Sequence, residues 1–143
     1  MNRRIDHVGV VVSNIEAALD LYVNRLGFER SATVEKAGEV KSVMVSIGDI
    51  TLELIEPVDP LGGLQKFLEE KGEGLHHVSF EVEDIRKEMR SLGSKGVRFI
   101  SERPEQVEDT LVCFAHPTST GHVLIEFLQK TETRPDKGAG SGA

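Results

Sequence analysis

IDHVGVVVSNIEAALDLYVNRLGF, residues 5–28, returns at an offset of 70 as LHHVSFEVEDIRKEMRSLGSKGVRF, residues 75–99. His7 falls on His77, Val8 on Val78, Val12 on Val82, Asn14 on Asp84, Ile15 on Ile85 and Leu19 on Met89. Internal repetition of this kind marks one supersecondary unit used twice. Each copy reads as an alternating strand followed by an amphipathic helix. In the first, Ser13 and Glu16 form a capping box, Leu19, Tyr22, Val23 and Leu26 form the apolar stripe, and Gly27 stops the helix. In the second the stripe is Ile85, Met89 and Leu92, with Gly93 or Gly96 near its end.

Three β-leaning stretches follow each helix. They are Phe28 to Val34, Val40 to Ile47 and Ile50 to Ile55 in the first copy, then Arg98 to Ser101, Thr110 to Phe114 and His122 to Leu128 in the second. The expectation is an α+β fold of two βαβββ modules, about 5–57 and 75–129, forming one cupped mixed β-sheet with helices on its outer face. A short helix within 61–72, with Phe67 and Leu68 inward and Gly72 as its stop, links them into a single domain spanning 1–129. Residues 130–143, KTETRPDKGAGSGA, have no apolar periodicity and read as a disordered tail. A doubly wound parallel sheet would need a helix after almost every strand, and there are too few helical segments for it.

Alternation then assigns faces. Asp6, Val8, Val10 and Val12 share one side of the first strand, leaving His7, Gly9 and Val11 on the other. In the repeat, His76, Val78, Phe80 and Val82 oppose His77, Ser79 and Glu81. The apolar sides pack on the helices, so His7 and His77 line the concave side and His76 turns toward the apolar margin. In TLELIEP, Glu53 points away from Leu52 and Leu54, and in HVLIEFLQ, Glu126 points away from Ile125 and Phe127. The spacing from His7 to Glu53 is 46 and from His77 to Glu126 is 49, so the repeat duplicates a His–Glu pair.

A buried carboxylate costs several kcal/mol unless it is paired, protonated or bound to metal. Two of them facing two imidazoles suit a divalent cation, and mixed N/O donors fit Co, Mn, Ni, Fe or Zn better than an all-oxygen or all-sulfur site. Taken singly, each of these side chains has an ordinary structural reading as a packed or edge residue; it is their repetition that singles them out. His116 and His122 lie in or beside a turn and read as loop residues.

Composition narrows the partners. A net charge of −7 and no Lys/Arg cluster argue against nucleic acid. The apolar run after Arg3 and Arg4 is too short and too interrupted for a signal peptide or membrane span, and one cysteine, Cys113, suits a reducing compartment, so a cytoplasmic location is expected.

Duplicated βαβββ modules with these four residues resemble the vicinal oxygen chelate superfamily. More narrowly, VSIGDITLELIEP, FLEEKGEGLHHVSFEVEDI, KGVRFI and HPTSTGHVLIEF look like the methylmalonyl-coenzyme A epimerases, over nearly the whole of Ile5 to Gln129. That resemblance implies His7, Glu53, His77 and Glu126 as metal ligands, an acyl-coenzyme A thioester as small-molecule substrate, a homodimer, and epimerisation through a metal-stabilised enolate. It makes Glu126 one acid/base. It implies a second on the strand at GEVKSVMV, where Lys41 stands with Glu39 two residues earlier. The loop ERPEQVEDTLV departs from the epimerase pattern, being acidic and without glycine. A glyoxalase-I-like lyase acting on a glutathione hemithioacetal would use the same ligands, whereas an antibiotic-sequestering protein of the superfamily would need a pocket more than a reactive cation.

Overall fold

A computed structural model describes residues 3–31, 35–37 and 40–131. Its elements are β1 (Arg4–Val11), α1 (Ile15–Leu19), which continues into a π-helical stretch (Asp20–Arg25), β2 (Glu29–Arg30), β3 (Glu35–Ala37), β4 (Val40–Ile47), β5 (Ile50–Pro57), α2 (Gly63–Lys71), β6 (Gly74–Glu81), α3 (Ile85–Gly93), β7 (Glu105–Val107), β8 (Thr110–Ala115) and β9 (Ile125–Lys130). The chain divides into two compact units, Asp6–Val78 and Ser79 onward, the latter taking in the first residues up to Ile5.

In the Asp6–Val78 unit the strand order is β2-β4-β5-β1-β6, with β3 also on β4. β1 and β5 run parallel, Gly9 opposite Glu53, whereas β4 meets β2, β3 and β5 antiparallel. The sheet is therefore mixed, as an α+β chain of strand–helix–strand units requires. Val10, Val12, Val43, Val45 and Leu54 pack with Ile15, Ala18 and Leu19 of α1 into one core. In the Ser79 unit the order is β6-β9-β8-β7, and Val82, Leu111, Cys113, Ala115 and Phe127 pack with Ile85 of α3. Full burial of side chains such as Leu54 and Ile85 contributes about 2–3 kcal/mol each.

The helix starts repeat down to single hydrogen bonds. Asn14 and Asp84 are the N-caps, accepting from Ala17 N–H at 2.8 Å and Lys87 N–H at 3.1 Å. The first exposed N–H is taken by the last strand of the same module: Ile15 N–H donates to Glu56 Oε1 and Ile85 N–H to Gln129 Oε1, both at 2.9 Å. This corrects the expected capping box at Ser13. Its N–H and hydroxyl donate instead to the Glu73 carboxylate, at 2.8 and 2.9 Å, so the next residue caps the helix.

Other boundaries also differ from expectation. The wider winding over Asp20–Arg25, closed by Leu26 N–H to Leu21 O, turns Leu26 out of the expected stripe to 52% exposure. Arg98–Ser101 is not a strand but a single bridge, Phe99 to Ala115, and the strand that pairs with β8 is the acidic segment Glu105–Val107. The final strand begins at Ile125 because His122, at φ 70°, belongs to the preceding turn. It extends through Lys130, and the expected tail beyond 131 lies outside the described residues.

Candidate metal centre

The period of two delivers His7 and Gly9 to one side of β1 and Glu53 to the same side of β5, while Val10 and Leu54 go to the core. His77, on β6, is buried like His7. Their Nε2 atoms lie 3.1 Å apart. Glu53 Oε1 is 3.3 Å from His7 Nε2 and 3.8 Å from His77 Nε2. A triangle with sides of 3.1, 3.3 and 3.8 Å has a circumradius of about 2.0 Å, the length of a zinc–imidazole or zinc–carboxylate bond.

The residue before each histidine sets its ring. Asp6 Oδ2 accepts from His7 Nδ1 at 2.8 Å, which leaves the His7 Nε2 lone pair facing the site. One repeat later, His76 Nδ1 is 3.0 Å from His77 Nδ1, and the Phe67 ring meets His76 edge-on with centroids 4.9 Å apart. His76 thus holds its neighbour, in line with its place at the apolar margin. Sequence reasoning misses Asp6 as a site residue, although the offset of 70 that matches it to His76 is a usable signal. On β1, Gly9 is where the His77 ring lies: a Cβ built there would overlap the imidazole at Cε1, Nδ1 and Nε2.

Electrostatics fits cation binding. Burial drives the His77 imidazole down to about 4 against the pull of Glu53, and burial lowers His76 as well. Both are neutral near pH 7. Burial alone would raise Glu53, but the His7 hydrogen bond and the nearby imidazoles outweigh it and hold the carboxyl below its ordinary value. An ionised, partly buried carboxylate and the nitrogens of buried imidazoles in one triangle form a donor set for a borderline divalent metal.

Glu126 is on β9 of the Ser79 unit, buried and opposite Phe114 on β8. Burial, with the Glu126 charge adding to the effect, pushes the Cys113 thiol up to about 12, so that cysteine is an inert core residue. Buried His7, His77 and Glu126 each offer one ligand atom of the type such a metal takes.

The structure moves Lys41 away from the expected acid/base position. It pairs in register with Glu56, its amine 3.8 Å from Glu56 Oε1, on the Val43 and Val45 side of β4. The residues of β4 that share the Glu53 face are Val40, Ser42, Met44 and Ser46. Glu39 lies outside the described residues. His116 caps a 3-10 turn, Pro117–Ser119, by accepting from Thr118, and exposed His122 lies in the turn that follows.

Residues 6–114 match the glyoxalase/bleomycin resistance protein/dioxygenase superfamily. The chain belongs to that superfamily. Within it, the uncharacterized protein YqjC of Bacillus subtilis (strain 168) is 34% identical over 129 residues, 88% of this chain and 91% of that one. The mitochondrial methylmalonyl-CoA epimerase of Bos taurus is 34% identical over 131 residues, 88% of this chain and 74% of that one. The structure of a point variant of Streptomyces coelicolor methylmalonyl-CoA epimerase in complex with 2-nitronate-propionyl-CoA superposes with a TM-score of 0.81 at 28% identity, covering 90% of this chain and 98% of that one. These superfamily members place the chain among the isomerases of epimerase type, against the non-catalytic alternative.

Proposed function

We propose that this protein interconverts the 2R and 2S forms of methylmalonyl-coenzyme A, with His7, Glu53, His77 and Glu126 holding a divalent cation. The observation that carries the reading is the triangle that the Glu53 carboxylate makes with the ring nitrogens of buried His7 and His77. Support for Glu126 as the fourth member comes from the repeat, which gives His77 a glutamate as it gives His7 Glu53, and from its burial. Support for the substrate comes from the epimerase relatives, one of them bound to an acyl-coenzyme A. A homodimer and a cytoplasmic location belong to the same proposal.

A divalent cation in this donor set supplies Lewis-acid stabilisation for the negative charge that develops when an α-proton leaves. The chain's own residues do the rest. Asp6 and His76 fix the rings of His7 and His77 so that no reorganisation is needed as charge builds. Glu126 takes the α-proton from one face of the carbon and, in the reverse direction, gives a proton to that face. Inversion needs a carrier on the other face as well, to deliver a proton there.

The test is incubation of the metal-loaded protein with methylmalonyl-coenzyme A in deuterated water, following exchange at the α-carbon. Deuterium uptake by both stereoisomers is expected. No exchange with Co, Mn, Ni, Fe or Zn would overturn the assignment.

A further inference from the structure

Ser79 is completely buried, and its hydroxyl has no hydrogen-bond partner among the described residues. Such a group is costly to keep, since alanine would fill the same place without an unmet donor. Its position is informative. Ser79 is two residues beyond His77 on β6, on the same side of the strand, and it is the repeat counterpart of Gly9.

The register around Gly9 can be carried over. In the first module Gly9 stands opposite Glu53, and Val12 N–H donates to Ile55 O at 2.8 Å. In the second, Val82 N–H donates to Leu128 O at 2.9 Å, the same bond between the matching residues of neighbouring strands β6 and β9. Counting back as in the first module sets Ser79 beside Glu126. Both are buried, and each lies on the side of its strand opposite the core residues Val82 and Phe127.

We infer that the Ser79 hydroxyl is a donor for the bound substrate, giving its hydrogen to the acyl oxygen that gains charge when the α-proton passes to Glu126. This rests on the epimerase reading. The first module has no equivalent, because the matching residue is glycine. A donor aimed at charge that exists only after proton removal stabilises the transition state more than the ground state.

Ser79→Ala tests this with three measurements. The expected result is a kcat for α-proton exchange about 10- to 100-fold lower with KM little changed. Affinity for 2-nitronate-propionyl-CoA, whose delocalised nitronate mimics the enolate, should fall by a similar factor. The melting temperature should be equal to or above that of the parent, since an unmet buried donor has been removed. Ser79→Cys, a weaker donor of similar size, should fall between. Activity and nitronate affinity within twofold of the parent would overturn the inference. So would a fall in melting temperature with kcat and KM worsening together, the mark of a packing role. Absence of exchange in the parent protein would instead sink the epimerase reading.

Discussion

At the scale of single residues, the chemistry of the candidate centre rests on neutrality imposed by burial. With its imidazole held at about 4 instead of 6.5, folded His77 binds fewer protons than the unfolded chain between those pH values. Stability is therefore full above pH 6.5 and is lost as pH falls toward about 4, by about 3 kcal/mol at about 1.4 kcal/mol per pH unit. His76, lowered by burial, adds a loss of the same sign. Chemical denaturation of metal-free protein at stepped pH should show this slope, and His77→Asn should flatten it; an unchanged slope would contradict the buried, neutral assignment. The two histidines and Glu53 are legible in the sequence because alternation and repetition agree on them. Asp6 is not, because face assignment by parity sends its side chain to the far side of β1, yet a short carboxylate can turn back to the Nδ1 of its neighbour.

At the scale of elements, the modules are readable and their edges are not. Strands carrying a core face, such as β4, β5 and β8, announce themselves through buried alternation. Glu105–Val107 is exposed throughout and has no apolar signal, so only its ladder with β8 reveals it. The start of α1 differs by one residue from the sequence pattern because Glu73, distant in sequence, claims Ser13. Glu56 has a double part there, accepting from Ile15 N–H and lying near the Lys41 amine. Glu56→Ala should cost about 1–2 kcal/mol, as loss of an N-terminal acceptor does, and lower the melting temperature by several degrees. Lys41→Ala removes only a partly exposed pair, worth about 0.5 kcal/mol, and should leave proton exchange intact. Loss of exchange in Lys41→Ala would show that its side of β4 had been wrongly assigned.

At the scale of the whole molecule, ligand burial couples metal to folding. A cation bound by the folded chain alone, at about 100 times its Kd, stabilises it by about 2.7 kcal/mol. A chelator should then lower the melting temperature by roughly 5–10 °C, reversibly on adding back metal. A melting temperature indifferent to chelator and to added Co, Mn, Ni, Fe or Zn would refute the site. Among the described residues no helix is long and apolar enough to cross a membrane. The duplication is plain in the sequence because strand parity and helix caps survive divergence, whereas what the differences between the halves do becomes visible only in three dimensions. The sharpest is at Gly9 and Ser79. One half has no side chain there and an imidazole lies against its backbone, and the other carries a hydroxyl. A tandem of two identical halves would have had to make the same choice twice. Descent from such an ancestor would have required the copies to separate at this position, and grafting either half onto itself today would undo that division of labour.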